Sequence, residues 1–292
     1  MTVKGKTESP SAILLISCPD RRGLVASITE FISRNGGNIL SLDQHVDGER
    51  QMFYMRVEWE LDGFALPTER IGEEFGGTIA DRFDMEWRLH FSDEVPRVAL
   101  FVSRLSHCLY DILSRCQSGE WRVEVPLIIS NHPDLEPVAK RFGIDYHCFP
   151  ITGENKGGQE KAQRALLEEK GVELIILARY MQILTDDFVA AYPNRIINIH
   201  HAFLPAFPGA RPYHSAYDRG VKIIGATSHY VTAALDQGPI IEQDVARAGH
   251  SDSVEDLVRK GRDLEKVVLS RAVWHHLQRK IHVCGNRTVI FE

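Results

Sequence analysis

Ile196-Ile197-Asn198-Ile199-His200-His201-Ala202-Phe203-Leu204-Pro205-Ala206-Phe207-Pro208-Gly209 is the stretch from which the fold is read. A short apolar run, rich in β-branched residues and closed by a proline-rich turn, has the pattern of a buried strand. Side chains alternate along a strand, so Asn198 and His200 share one face at its carboxyl end. His201 should point the other way if the strand continues. An amide and an imidazole issuing together from a rigid edge suit acyl chemistry. One offers a neutral donor to a developing oxyanion, and the other carries a proton.

Outward from this strand the chain alternates strand and helix. Residues 98–103 are an apolar strand, and Cys108, Leu109, Ile112 and Leu113 form a helical stripe. Strands are predicted at 123–129, 145–149 and 174–178, with a charged helix at 159–170. A long helix is expected over 254–278 and an edge strand over 287–291. This alternation predicts a doubly wound, mostly parallel α/β sheet with helices on both faces. Ligands of such sheets bind beyond the carboxyl ends of the strands, where Asn198 and His200 lie.

The first ninety residues have a different rhythm. A strand at 12–17 leads through a turn into Leu24, Ile28, Phe31 and Ile32 at helical spacing, stopped by Gly36-Gly37. Strands at 38–46 and 51–59, a helix at 67–75 and a strand at 85–91 complete a βαββαβ order, the ferredoxin-like arrangement. The polar run Ser92-Asp93-Glu94-Val95-Pro96 reads as a linker. The expected domains are therefore residues 1–91 and 97–292, joined by 92–96. The stretch PDRRGLVASITEFISRNGGNI resembles an ACT domain. That resemblance implies pairing of copies through their sheets, hence a homo-oligomer. It also implies an amino-acid effector held near Asp20, Gly23 and Asn38, although Gly23 alone is only a turn residue and Asn38 only a strand start.

The segment quoted first resembles the signature of the folate-dependent formyltransferase family. A second segment, Thr227 to Ile241, carries H-x6-D-x-G-P followed by an apolar pair and resembles that family's second signature. Taken alone, an Asp before Gly-Pro is turn chemistry. Two linked motifs are a far stronger signal. The resemblance implies a formyltransferase-type domain in which Asn198, His200 and Asp236 are catalytic and His229 supports Asp236. Leu177-Ala178-Arg179-Tyr180-Met181-Gln182-Ile183-Leu184 is similar to the family's folate loop, which implies Met181, Gln182, Ile183 and Leu184 on one side of the pterin. Thr232, Ala233 and Ala234 would form the other side.

Family members that formylate a ribonucleotide carry a Gly-Ser-rich loop after the first strand of this domain, where backbone N–H groups cradle phosphate. Here that place reads Val102-Ser103-Arg104-Leu105-Ser106-His107-Cys108-Leu109 and has no glycine. SRxSHC and the fused ACT domain resemble the family's hydrolytic branch. The activity this implies is hydrolysis of 10-formyltetrahydrofolate to tetrahydrofolate and formate, with water as acceptor and with the folate as substrate rather than cofactor. The alternatives are transfer of the formyl group to a small amine, and a sensing protein that has lost activity.

Bulk properties narrow the partners. The chain has 292 residues, 43% hydrophobic and 25% charged, with a formal charge of −6. The acidic balance argues against nucleic acid. Five scattered cysteines with no CxxC point to reduced thiols in the cytoplasm. No HExxH or Cys/His quartet suggests a metal. No apolar run is long enough for a membrane span, and residues 1–10 have no secretory signal pattern.

Overall fold

Strand β1 (Ser11–Pro19) has every residue but its last buried, because it has neighbours on both edges and cover on both faces. The computed structural model describes residues 9–205 and 212–292. After β1 come α1 (Leu24–Arg34), β2 (Ile39–Asp47), β3 (Met52–Glu60), α2 (Thr68–Phe75), a π turn (Gly76–Ala80), α3 (Asp81–Phe83) and β4 (Glu86–Phe91). The sheet order is β2-β3-β1-β4, with every recorded pairing antiparallel, as the ferredoxin-like reading expects. Ala12, Leu14 and Ile16 point to one face and meet Leu24, Ile28 and Ile32 of α1 and Ile71 and Phe75 of α2. Gly36 ends α1 in the left-handed region, at φ 76°.

The other face mixes Ile13 and Leu15 with polar groups that are also buried. Arg56 of β3 is 4% exposed and pairs with Glu58 at 2.8 Å, while Ser11 Oγ donates to Glu58 Oε1 at 2.6 Å. The cover comes from the chain's far end. Residues Arg279–His282 and Val289–Glu292 group with the first unit, which otherwise runs to Glu94, and Arg56 Nε donates to the Arg279 carbonyl. The His282 ring lies 5.1 Å from that of Tyr54.

The second unit comprises Val95–Gln278 and Val283–Thr288. Its elements are β5 (Arg97–Val102), α4 (His107–Ser118), β6 (Glu124–Ser130), α5 (Glu136–Phe142), β7 (Asp145–Cys148), α6 (Lys156–Glu169), β8 (Leu174–Leu177), α7 (Asp186–Ala191), β9 (Ile196–His200), α8 (Pro212–Arg219), β10 (Ile223–Tyr230), β11 (Ile240–Arg247) and α9 (Val254–Leu277). The sheet order is β11-β10-β9-β8-β5-β6-β7. The pairings from β7 through to β9 are parallel, while β9–β10 and β10–β11 are antiparallel. The chain winds from β5 outward to β7, then crosses to β8, so the winding reverses between β5 and β8. Crevices that bind ligands open at such points. Helix α9 starts at a capping box in which Ser253 Oγ accepts from Asp256 N and Asp256 Oδ2 accepts from Ser253 N.

Two expectations need correction. The predicted edge strand at 287–291 is not part of this sheet. Gly285, at φ 62°, turns the chain, and β13 (Arg287–Ile290) pairs with β12 (Ile281–Cys284) in a separate hairpin. His201 does not point away from His200. The strand ends at His200, alternation ends with it, and the two rings lie 5.2 Å apart. Residues 206–209 of the first signature lie outside the described residues.

Candidate active site

The β9–β10 register builds the centre of the site. His229 stands directly opposite Asn198, and Thr227 opposite His200. The Asn198 Nδ2 therefore lies 3.3 Å from His229 Nε2. His229 Nδ1 donates to the Tyr230 carbonyl at 2.8 Å, so its Nε2 is the nitrogen that faces the Asn198 amide and Asp236. Thr227, fully buried, fastens the turn after the strand: it donates to the Ala202 carbonyl and accepts from Leu204 N.

Asp236 arrives from the loop between β10 and β11. Gly238 lets this loop close, because a Cβ there would collide with the Tyr230 carbonyl. Tyr230 N then donates to the Pro239 carbonyl at 2.9 Å. Asp236 itself sits in the left-handed region at φ 54°, which aspartate tolerates better than most residues. Its Oδ2 lies 3.3 Å from His200 Nδ1 and its Oδ1 3.6 Å from His229 Nε2. Hydrogen bonds from His200 first and His229 second hold the Asp236 carboxyl far below the ordinary carboxylate range, against the opposing effect of burial. An ionised Asp236 takes the Nδ1 proton of His200 as its hydrogen bond. His200 Nε2 is then the free nitrogen, buried and without a hydrogen-bond partner among the described residues.

These groups open on a cavity of about 440 Å³. Its wall contains Asn198, His200, His229 and Asp236 together with Met181, Gln182, Ile183, Leu184, Thr232 and Ala233. Ala234 supplies its carbonyl to the Thr232 hydroxyl at 3.2 Å. Met181, Ile183 and Leu235 are half exposed or more, which gives the mouth an apolar rim. Leu177, Arg179, Tyr180, Val231 and Leu235 also line the cavity, as does His201. Arg179 and Tyr180 lie in the same loop, directly before the four residues that the sequence resemblance assigns to the pterin. The effector residues expected in the first unit stand apart from each other in role. Gly23 precedes α1 at φ 92°, Asn38 Nδ2 donates to Glu60 Oε2 at 3.0 Å, and Asp20 N donates to the Gln51 carbonyl.

A second polar cluster lies under this wall. Glu265 of α9 is 1% exposed. His107 Nε2 is 2.7 Å from its Oε2, and the Tyr213 hydroxyl donates to Oε1 at 2.8 Å. Arg179 Nε is 3.4 Å from Oε2, an ion pair without hydrogen-bond alignment. Burial, the largest single influence, pushes the Glu265 carboxyl up. The His107 hydrogen bond, the Arg179 charge and the Tyr213 hydroxyl outweigh it and leave the carboxyl below its ordinary value. His107, Cys108 and Glu265 offer ligand atoms within 4.8 Å of one another. The carboxylate is already engaged, and burial keeps the Cys108 thiol well above its usual range, so the donor set fits internal hydrogen bonding better than a metal.

An asparagine, a histidine and an aspartate at the carboxyl edge of a doubly wound sheet, below a ferredoxin-like unit in sequence, define a class. Residues 96–273 match the family described as Formyl transferase, and residues 12–74 match the ACT domain. Formyltetrahydrofolate deformylase of Synechocystis sp. is 59% identical over 281 residues, covering 96% of this chain and 98% of that protein. Its Bacillus subtilis counterpart is 46% identical over 279 residues, covering 95% and 93%. The crystal structure of a formyltetrahydrofolate deformylase from Pseudomonas syringae aligns with a TM-score of 0.95 at 42% identity, covering 98% of this chain and 96% of that one. The chain belongs to the formyltetrahydrofolate deformylase family.

Proposed function

We propose that this protein hydrolyses 10-formyltetrahydrofolate to tetrahydrofolate and formate. The observation that carries the reading is His200. Its Nδ1 faces an ionised Asp236, and its Nε2 is buried with no hydrogen-bond partner among the described residues. With Nδ1 donating to Asp236, Nε2 is the ring nitrogen left to act as a base beside the cavity.

In the proposed route, water attacks the formyl carbon as His200 Nε2 takes one of its protons. Charge collects on the formyl oxygen, and the Asn198 amide donates a hydrogen bond to it. Such a donor is worth roughly 10²–10³ in rate. The protonated His200, stabilised by Asp236, returns the proton to the folate nitrogen. The carbon–nitrogen bond breaks, and formate and tetrahydrofolate leave. His229 holds the Asn198 amide and one Asp236 oxygen, and so orients both. The route uses an amide, an imidazole, a carboxylate and water, and calls for no metal or organic cofactor. Met181, Ile183, Leu184 and Leu235 offer the apolar surface that a pterin ring needs, and Thr232 and Ala233 flank it.

The ACT unit is proposed to bind an amino acid that tunes this rate, and to pair copies through its sheet. No helix among the described residues is long and apolar enough to cross a membrane. Free cysteines are consistent with a reducing, cytoplasmic setting.

Formate release from 10-formyltetrahydrofolate by the purified protein, with no amine present, tests the proposal. Steady turnover that vanishes in His200→Ala is the expected result. Formate release only when an amine is added, with a formylated product, would mean transfer instead.

A further inference from the structure

The 178–185 segment forms one side of the cavity, and its apolar residues hold it only in part: Tyr180 and Leu184 are buried in the core. Met181 and Ile183 are 50% and 58% exposed. Met181 and Ile183 gain little from burial there, so the shape of the backbone around them depends also on polar anchors. Glu160 of α6 accepts from Thr185 N and Gln163 of α6 donates to the Tyr180 hydroxyl; two further anchors reach the segment from other elements. At the carboxyl end of β5, Ser103 is 4% exposed; its Oγ donates to Asn131 Oδ1 at 2.6 Å and accepts from Met181 N at 3.0 Å. This bond spans the point where the winding of the sheet reverses. Two residues earlier, Arg179 sits in the left-handed region at φ 66°, a conformation that a residue with a Cβ adopts only where its surroundings enforce it. Its guanidinium is buried against Glu265 of α9, at 3.4 Å.

We propose that Ser103 and Glu265 are positioning residues for folate binding, holding residues 179–184 in the shape that receives the substrate. Neither is itself assigned to the cavity wall. Ser103 acts through the Met181 backbone, and Glu265 through the Arg179 side chain. The Glu265 carboxylate also receives His107, at the start of α4, and Tyr213, in α8. One buried charge therefore fixes the segment to two helices that the sequence places far from it. Releasing either anchor lets the backbone around Met181 drift, and displacements near 1 Å are enough to change function by orders of magnitude.

This inference rests on the folate hydrolase reading, and its test separates the two. Formate release is measured for the full chain and for Ser103→Ala and Glu265→Gln, with kcat and KM determined separately. Each variant is expected to raise KM for 10-formyltetrahydrofolate about tenfold with kcat changed less than about threefold, the pattern of lost substrate binding. Ser103→Thr, which keeps the hydroxyl, is expected to return KM toward the starting value. A purely structural role would lower the melting temperature and the amount of folded enzyme while leaving KM unchanged, and that result overturns the proposal. If Glu265→Gln does not fold, Ser103→Ala decides alone. Wild-type enzyme that releases formate, with variants at wild-type KM, refutes the anchors only. Wild-type enzyme that neither releases formate nor binds tetrahydrofolate refutes the hydrolase reading and the anchors with it.

Discussion

Gly261→Ala should destabilise the second unit, although the same change in an ordinary helix stabilises. Gly261 lies one turn before Glu265 on α9, and a Cβ there would collide with the ring and hydroxyl of Tyr213. Tyr213 would have to leave its 2.8 Å bond to Glu265. Losing a buried hydrogen bond to a carboxylate costs about 1.5–3 kcal/mol. Forcing the ring aside adds about 1–3 kcal/mol of overpacking. Alanine recovers about 1 kcal/mol of helix propensity. The net expectation is a loss of about 1.5–5 kcal/mol. Equilibrium urea unfolding measures it as a lower midpoint, with Gly158→Ala in α6 as the control. Nothing lies within 4 Å of a Cβ at 158, so that variant should gain up to about 1 kcal/mol. If Gly261→Ala were as stable as Gly158→Ala, the Tyr213–Glu265 contact would not constrain α9, and the packing argument would fail.

Asp236→Asn should lower kcat by at least about 10² while tetrahydrofolate binding, followed by calorimetry, changes little, because the orientation and charge of His200 are lost rather than the pocket. Near-normal turnover would remove Asp236 from the mechanism. Added glycinamide ribonucleotide should not accelerate formyl loss, since the loop at 103–108 has no glycine to admit a phosphate; a formylated product would refute this. Acid should weaken the first unit. Burial, then the charges of Arg279 and Arg88, lowers His90 to about 4, and burial with Arg88 lowers His282 to about 4. The unfolded chain then binds more protons than the folded one between about 4 and 6.5, so stability is full above 6.5 and falls as pH drops toward 4, by on the order of 2–3 kcal/mol per ring. Melting temperatures at pH 7 and pH 5 should differ, and His282→Asn should flatten the difference; an equal slope would show that His282 does not titrate on unfolding.

The sequence carried the centre of the site because strand geometry is local. Two residues of period two, Asn198 and His200, must share a face wherever the strand lies. Asp236 was legible through its motif, although its left-handed backbone and the close approach of Gly238 to Tyr230 were not. The Glu265 cluster left almost no trace. His107, Arg179, Tyr213 and Glu265 are separated by dozens of residues, and only three-dimensional packing joins them. One signal was present: Glu265 stands at helical spacing from Leu257, Gly261, Val268, Leu269 and Ala272, all buried, and a charge on an apolar stripe needs a partner. The antiparallel strands β10 and β11 were missed for the opposite reason. The motif in Thr227 to Ile241 drew the reading to its polar residues and away from the strand period on either side. The hairpin at the end of the chain was read as an edge strand because apolar alternation does not say which sheet it joins.

That hairpin changes the order in which the protein can be completed on the ribosome. The sheet of the first unit is finished within the first hundred residues, but the backbone carbonyl that receives Arg56 belongs to Arg279. Until residues 279–292 emerge, that face of the sheet is uncovered, with Arg56 and the Tyr54 ring open to solvent or to another nascent chain. The unit synthesised first is therefore the last to close, and loss of residues 279–292 should expose a region more than two hundred residues upstream.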